Sequence, residues 1–379
     1  MLLPRYGATR GRCETESIVE PTAQQLKNGE YVLTAAEPLR QQVSCLFESA
    51  GLRAEHAAFA ADILVTADLR DVDTHGVVMV PRYLNLMASA LVDPKAEPTV
   101  LRESPSSAVI SNAGGLGVIG GYRAMELAIA KAKTTGIAHV GVVEGRHIGM
   151  VGYYAMMAAR EDMIGMAVTN ASRSVRPTHG ARARFGTNPI AFAAPAAVER
   201  PFVLDMATST VANGKVMRAS RNGLPVPRGW IVDENGQPLE EVPAARSDQW
   251  ALTPLGETPT DEGASYKGYG LAVMVDVLAG VLSGGGTSAD LEQNTNMAWF
   301  MAIDITRFRP IDDFKADIDR LIQYFHATPP VDPDEPVLVA GDPQAEAFDR
   351  RSREGIPLPH DVLTELRDLA AATGVPTLV

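Results

Sequence analysis

The middle of the chain alternates short apolar runs with segments of helical periodicity, and this alternation limits the possible folds more than any other feature of the sequence. Apolar runs of strand length occupy residues 107–111, 137–143, 164–169, 190–194, 202–205 and 297–303. Helical spacing over 122–135 and 153–161 separates the first three runs. Strands that alternate with helices are typical of a sheet covered by helices. We therefore predict an α/β core, with mixed α+β character, over residues 105–304.

Both ends of the chain show helical spacing instead. One pattern starts at Ala36 and is stopped by Gly51. Further helices are predicted over 57–69, 82–92, 312–324 and 360–373. Residues 1–32 are polar, show no sustained period and contain two prolines, so we expect an extension that carries no chemistry.

Composition excludes several classes of protein. The formal net charge is -12 and no basic stripe occurs, so a nucleic-acid partner is not expected. The most apolar long stretch, 270–282, is too short to cross a membrane, and the N-terminal residues lack the apolar region of a secretory signal. Cys13 and Cys45 are the only cysteines, which argues against a disulfide framework. We expect a cytoplasmic protein that does not bind membranes.

One segment within the predicted core is unusual in composition. Residues 233–263 are acidic and rich in proline and glycine, so we expect a long surface excursion. The sequence Lys267-Gly268-Tyr269-Gly270 follows it and leads into a predicted helix over 271–282.

A glycine-rich turn matches the pattern of dinucleotide-binding folds. Gly115, Gly117 and Gly120 form G-x-G-x-x-G between a predicted strand and a predicted helix, and Glu144 follows 24 residues after the last glycine. On this pattern alone, a pyrophosphate-binding turn and a turn that only lets a helix pack near a strand are equally good interpretations. The preceding strand is short and polar, and regular βαβ repeats do not follow, which weakens the first interpretation.

Separated blocks of sequence resemble one enzyme family. The block 67–76, Ala-Asp-Leu-Arg-Asp-Val-Asp-Thr-His-Gly, followed by Pro81-Arg82-Tyr83, resembles the signature of the malate/L-lactate dehydrogenase family. Further similar blocks lie at 146–149, 152–155, 169–172, 186–192, 202–208, 266–270 and 353–357. The blocks occur in the order found in the family and extend from about residue 33 to the C-terminus.

The resemblance implies a fold and an activity. The fold has a central α/β domain (105–304) that binds NAD or NADP without an ordinary Rossmann arrangement. The segments 33–104 and 305–379 form one discontinuous helical domain, and the glycine turn at Gly115 is structural. The implied protein is a homodimer with its active site in a cleft between domains. It transfers a hydride between NAD(P)H and a small 2-oxo or 2-hydroxy acid, or a cyclic imino acid.

Two histidines are candidates for proton transfer. Hydride transfer to a carbonyl or imine carbon needs a proton donor, and imidazole titrates near neutral pH. His75 is the first candidate for the general acid, and His147 matches a position that the resemblance assigns to a base. The sequence leaves open which of the two transfers the proton. Asp73 either orients His75 or caps a helix.

The resemblance also implies a set of cofactor-binding residues. The carried-over positions are Thr169, Asn170, Ser172, Phe202, Asp205, Met206, Ala207, Tyr266, Lys267, Gly341 and Asp342. We expect Asp205 to accept from ribose hydroxyls and Lys267 to pair with a phosphate or with the substrate carboxylate.

Substrate binding calls for a cation, because the expected substrate carries a carboxylate. Thr74, Arg82 and Arg173 are the candidates. Met79 stands where the family usually has arginine, so Arg82, Lys267 or Arg173 must replace that anchor, or the substrate differs. The seven histidines show no metal-binding spacing, so no metal is expected.

Two other functions stay open. One is a conventional Rossmann dehydrogenase that uses Gly115, Gly117 and Gly120. The other is a non-catalytic homologue that binds a nucleotide or a small acid, which the loss of arginine at Met79 motivates.

Overall fold

The computed structural model describes residues 25, 30–221, 223–243, 250–257, 263–292 and 294–379. The strands in chain order are β1 Tyr31–Thr34, β2 Thr99–Glu103, β3 Ser107–Ser111, β4 Ile137–Gly145, β5 Met163–Thr169, β6 Ile190–Ala194, β7 Phe202–Met206, β8 Ile231–Asp233, β9 Pro238–Leu239, β10 Trp250–Leu252, β11 Asn296–Asp304 and β12 Ile356–Pro359. The α-helices are α1 Ala36–Ser49, α2 Ala54–Leu69, α3 Val80–Ala88, α4 Gly117–Thr135, α5 Val151–Arg160, α6 Asn213–Arg221, α7 Ser265–Asp276, α8 Ile311–His326, α9 Asp342–Glu354 and α10 His360–Thr373.

A seven-stranded mixed sheet forms the centre of the described chain, in the order β2-β3-β4-β11-β5-β6-β7. Neighbouring strands pair antiparallel, except for β3 and β4, which are parallel. The predicted α/β fold class is confirmed. A Rossmann domain needs a mostly parallel sheet, so the conventional Rossmann alternative is wrong.

The glycine turn has a packing role. A Cβ at Gly117 would overlap the carbonyl oxygens of Arg146 and His147, and a Cβ at Gly120 would overlap the amide of Asn112. Gly117 thus lets the start of α4 lie directly against the chain that follows β4, and Gly120 lets it lie against Asn112, which follows β3. The predicted helix over 122–135 therefore begins earlier, at Gly117.

Helices cover both faces of the sheet. On one face α4 and α5 pack against the strands, and Tyr154 of α5 meets Phe300 of β11 edge to face at 5.3 Å. On the other face α7 buries a smaller cluster that includes Val275, Trp299 and Ile190. The apolar alternation of the strands thus serves two separate cores.

The two ends of the chain meet. Strand β1 pairs antiparallel with β12, α1 packs against α10, and α2 packs against α9. These contacts agree with a shared helical unit, but the domain boundaries at 33–104, 105–304 and 305–379 stay a prediction. The strands β1 and β12 were not predicted, because four-residue strands whose partners lie over 300 residues away leave no local signal.

Most predicted elements lie within a few residues of the observed ones. The predicted helix over 82–92 is α3, which ends at Ala88 because Ala90 adopts a positive φ. The predicted helix over 271–282 begins at Ser265, so Lys267 lies inside a helix. Helices α6 and α9 and strand β2 were not predicted.

Within the described residues, the prediction of a surface excursion over 233–263 agrees with 233–243, which are exposed or half-buried, and is wrong for 251–254, which are buried. Strands β8, β9 and β10 form a three-stranded antiparallel sheet. Ile231 and Leu252 are fully buried there against Val175 and Val216. Residues 244–249 and 258–262 lie outside the described residues. Polar turn residues hid these short strands in the sequence.

A buried arginine on helix α9 connects this helix to the segment that follows α2. The side chain of Arg351 is 2% exposed. Its guanidinium donates to Asp71 Oδ1 at 2.7 Å, to Asp73 Oδ1 at 2.7 Å and to the carbonyl of Asp68. Three groups of one segment therefore converge on one side chain from the other end of the chain.

Arg351→Met is expected to lower the free energy of unfolding by about 3 kcal/mol, because it removes the hydrogen bonds of a buried cation to two half-buried carboxylates and a carbonyl. Urea denaturation of the purified protein measures this change. Arg353→Met, an exposed position on the same helix, is the matched control and should change stability by about 0.5 kcal/mol or less. Equal effects of the two substitutions would contradict a clamping role for Arg351.

Candidate active site

The structure brings the two candidate histidines together. His75 ends a short 3-10 turn, Asp73–His75, that follows α2, and His147 follows β4. Their rings stack with centroids 5.4 Å apart and planes 20° apart. Both side chains are partly buried. Residues 72 positions apart in sequence thus form one pair.

Each ring has a defined partner on its Nδ1 atom. Thr74 Oγ1 lies 2.9 Å from His75 Nδ1. The hydroxyl of Tyr83, from α3, lies 2.7 Å from His147 Nδ1, and the backbone N–H of Gly149 points to the same atom at 3.4 Å. Tyr83 was missed as a site residue. Its block Pro81-Arg82-Tyr83 was recognised, but spacing alone does not show where a helical tyrosine points.

The surroundings favour neutral imidazoles. Burial lowers the pKa of His75 to about 4, and the positive charge of Arg82 acts in the same direction. Burial also lowers the pKa of His147 well below its usual value, helped by His75 and Arg82. Burial raises the pKa of Tyr83. The pair is therefore uncharged near pH 7.

The block 68–77 owes its pattern to a buried carboxylate. Asp68 Oδ2 accepts from the N–H of Val77 at 2.8 Å, and a Cβ at Gly76 would overlap the Asp68 carboxylate. Burial, reinforced by the charge of Asp73, raises the pKa of Asp68. Asp73 forms an ion pair with Arg351, a role that differs from the two considered for it in the sequence analysis.

The candidate substrate-binding residues lie in different surroundings. Arg82 is exposed, donates to Asn294 Oδ1 at 3.1 Å and lies close enough to act on both histidines. Thr74 lies next to Gly214 of α6, where an added Cβ would come within 3.2 Å of Thr74 Cγ2. Arg173 is exposed on the loop after β5. Met79 is partly buried and packs against the main core.

Several of the predicted cofactor segments are held side by side by the buried Asn188. Its Oδ1 accepts from the N–H of Ala171, and its Nδ2 donates to the carbonyl of Ala272. Thr208 donates its hydroxyl to the carbonyl of Asn188 at 3.1 Å, and the carbonyl of Thr208 accepts from Leu255 N. The loop after β5, the end of β7 and α7 thus meet at one place.

The side chains of Thr169 and Asn170 are engaged inside the protein. Thr169 donates to the carbonyl of Met297 at 2.8 Å. Asn170 is fully buried, donates to Asp276 at 3.0 Å and accepts from Met297 N at 2.8 Å. Ser172, two residues further, is exposed. Thr169 and Asn170 therefore fasten β11 and α7 to β5.

Strand β7 borders the start of α9 at Val203 and the start of α5 at Asp205. Asp205 is exposed as a residue, yet its Oδ2 accepts from Gly152 N at 2.7 Å at the start of α5. Desolvation of this carboxyl raises its pKa to about 6, against the opposing effects of the Gly152 N–H and Arg70. A Cβ at Gly341 would come within 3.1 Å of Val203.

The other cofactor candidates are half-buried or exposed. Asp342 lies 2.7 Å from the His326 ring and caps the preceding loop through Val339 N. The rings of Phe202 and Phe192 contact each other edge to face. Tyr266 and Lys267 are exposed at the start of α7. Met206 and Ala207 are partly exposed where β7 ends.

An open cleft of about 580 Å³ borders the segment that carries His147. Ala113, Gly114, Glu144, Arg146 and Asp290 contribute to its walls. The predicted cofactor residues do not line it in the described part of the chain. The cleft therefore adjoins Arg146, next to His147 in the chain, and lies apart from the edge at β7.

Two searches of the described residues gave negative results. No group of three or more histidine, cysteine, aspartate or glutamate residues is arranged to hold a metal ion. No helix in the same residues has the length and apolar character needed to cross a bilayer.

Comparisons with known proteins agree with the resemblance seen in the sequence. A family profile described as malate/L-lactate dehydrogenase matches residues 34–367. Malate dehydrogenase of Pyrococcus horikoshii is 39% identical over 350 residues, covering 91% of this chain and 96% of that protein. A solved structure of that organism's malate dehydrogenase superposes with a TM-score of 0.84 at 37% identity, covering 92% and 97% of the two chains.

Other relatives differ in their named substrates. Malate/(S)-sulfolactate dehydrogenase of Methanothermus fervidus is 32% identical over 346 residues, covering 89% of this chain and 97% of that protein. The structure of delta1-piperideine-2-carboxylate reductase from Pseudomonas syringae superposes with a TM-score of 0.79 at 27% identity, covering 89% and 100% of the two chains.

Proposed function

The chain belongs to the malate/L-lactate dehydrogenase family, and on this premise we propose that it transfers a hydride between a nicotinamide cofactor and C2 of a small 2-oxo or 2-hydroxy acid. The observation that carries the proposal is the stacked, uncharged pair His75 and His147 beside the cation Arg82. An uncharged imidazole accepts a proton, and a nearby guanidinium binds a carboxylate.

His75 is the residue that exchanges the proton in this proposal. Thr74 occupies its Nδ1, so Nε2 is the ring nitrogen that remains for the substrate oxygen. When a hydroxy acid is oxidised, Nε2 accepts the hydroxyl proton as the hydride leaves C2. In the reverse direction the same nitrogen returns the proton to the forming alkoxide.

The edge at the end of β7 fits a nicotinamide dinucleotide, which supplies the hydride when bound. Met206 and Ala207 are partly exposed there, and Gly341 borders the start of the strand, where an added Cβ would lie 3.1 Å from Val203. We assign Asp205, Tyr266, Lys267, Gly341 and Asp342 to this site, with Lys267 binding a phosphate. Thr169, Asn170, Ser172, Phe202, Met206 and Ala207 complete the assigned set. Exposed backbone and a lysine suit a phosphate-bearing ligand.

The experiment that tests the function is a reductase assay. Purified protein is mixed with NADH or NADPH and a panel of 2-oxo acids, including those of malate and sulfolactate, together with cyclic imines. We expect oxidation of one cofactor with at least one member of the panel. The oxidation is measured as the loss of absorbance of the reduced cofactor. Cofactor binding without turnover on the whole panel would favour the non-catalytic alternative instead.

His75→Ala is expected to lower turnover by roughly 10²-fold or more, because it removes the proton-exchanging group. Single-turnover rates with the best substrate of the panel measure this change. His147→Ala is the partner experiment. A large loss in His147→Ala with little change in His75→Ala would reverse the two roles.

The pH dependence follows from the lowered pKa of His75. Below its pKa the imidazole binds a proton and no longer acts as a base. Because that pKa is about 4, kcat/KM for oxidation should stay level as pH falls from 7 to about 5 and should fall only near pH 4. Intrinsic fluorescence checks that the protein stays folded. An acid limb near 6.5, the ordinary value for histidine, would contradict this.

Arg82 binds the substrate carboxylate in this proposal, and Thr74 and Arg173 are the other residues assigned to the substrate. Arg82→Met is expected to raise KM about tenfold or more, because a charge-assisted hydrogen bond is lost. Steady-state kinetics with the best substrate measure it. Arg320→Met, at an exposed position on α8, is the control. An unchanged KM in Arg82→Met would move the anchor to Arg173 or Lys267.

A homodimer is also part of the proposal. An apolar row is exposed at helical spacing along α7 and the π-helical turn after it, at Val273, Met274, Val277, Val281 and Leu282. Exposed apolar patches of this kind mark interfaces between proteins. Sedimentation analysis is expected to show a dimer, and Val277→Glu to shift it toward the monomer. A wild-type monomer would refute it.

The cellular location and the domain division complete the proposal. Among the described residues the cysteine Cys45 is unpaired, which suits a reducing cytoplasm.

The proposed helical domain combines 33–104 with 305–379, and β1–β12 pairing together with the Arg351 contacts supports it. Limited proteolysis that released 105–304 as a stable fragment would support these boundaries.

A further inference from the structure

The two hydrogen-bond donors on Nδ1 of His147 limit where its proton can lie. The backbone N–H of Gly149 points to this atom at 3.4 Å and can only donate. The Tyr83 hydroxyl lies 2.7 Å from the same atom, which is the distance of a strong hydrogen bond. An Nδ1 atom that carried a proton would face the hydrogen of Gly149.

Tyr83 is held in place as a neutral donor. Its side chain is 1% exposed, and its ring lies 6.4 Å from that of Phe47 in the apolar core. Burial in apolar surroundings disfavours the tyrosinate, so the phenol keeps its proton. The ring of Tyr83 also lies tilted at 6.1 Å from His147. The hydroxyl therefore has a fixed position from which to donate.

From this geometry we propose that Tyr83 is a positioning residue that fixes His147 as the tautomer protonated on Nε2. The proposal rests on the proposed function for its chemical meaning and goes beyond it. In the neutral ring, one nitrogen carries the hydrogen and the other accepts. With Nδ1 as the acceptor of Tyr83, Nε2–H is the donor.

This assignment separates the roles of the two histidines. A neutral imidazole with Nε2–H donates a hydrogen bond to the C2 oxygen of the substrate and polarises it, as neutral histidines do in other enzymes. His147 then stabilises charge on that oxygen but keeps its proton. His75, whose Nδ1 faces a threonine hydroxyl, remains the residue that exchanges the proton.

Tyr83→Phe removes only the hydroxyl, and Tyr154→Phe is a matched control. Tyr154 is fully buried, and its hydroxyl donates to the carbonyl of Ile148 at 2.5 Å. Both substitutions thus remove one buried hydrogen bond to the same loop, but only Tyr83 contacts the imidazole. Loss of stability alone would affect both variants in the same way.

The first readout is the tautomer, observed by ¹⁵N NMR of histidine-labelled protein. The His147 signals are assigned by their loss in His147→Gln. We expect wild type and Tyr154→Phe to show a proton-free Nδ1 and a protonated Nε2. We expect Tyr83→Phe to shift both nitrogens toward a mixture of tautomers. A protonated Nδ1 in the wild type would overturn the proposal, even where Tyr83→Phe does not fold.

The second readout is the steady-state kinetics of the three proteins. We expect kcat of Tyr83→Phe to fall about tenfold, the ratio that corresponds to one lost hydrogen bond, with KM nearly unchanged. Tyr154→Phe should keep both constants. Equal kcat losses in the two variants would overturn the positioning role. Absence of turnover in the wild type would refute the proposed function, while the NMR spectrum would still decide the tautomer.

Discussion

The buried guanidinium of Arg351 is the contact on which the arrangement of the site depends. It joins helix α9 to Asp71 and Asp73, which lie 280 and 278 residues away in sequence. His75 follows two residues after Asp73, so its turn is held from the opposite end of the chain. A buried cation of this kind is costly unless it is well paired, and the paired carboxylates give it a single geometry.

Burial sets the chemistry of the histidine pair. Water stabilises a charged imidazolium. Because water is excluded around His75 and His147, the neutral rings are favoured. Arg82 adds to this effect through its positive charge. In the proposed function the same side chain binds the carboxylate of the substrate.

The secondary structure of the core was largely predictable because periodicity is local. The strand 107–111 and the helix 360–373 were predicted with the observed limits. Strands β1 and β12 were missed, since each depends on a distant partner. The segment 233–263 was misjudged for a similar reason: its short strands gain stability from a cluster that includes Val175, far from them in sequence.

The sequence by itself determined the family and the α/β class and named the two histidines as candidates, because residue types and the order of blocks are written in one dimension. Only the tertiary structure decided that the rings of His75 and His147 stack, that Tyr83 reaches Nδ1 and that Asp73 pairs with Arg351. These outcomes depend on distances between residues remote in sequence and on the exclusion of water. Neither quantity can be read from spacing along the chain.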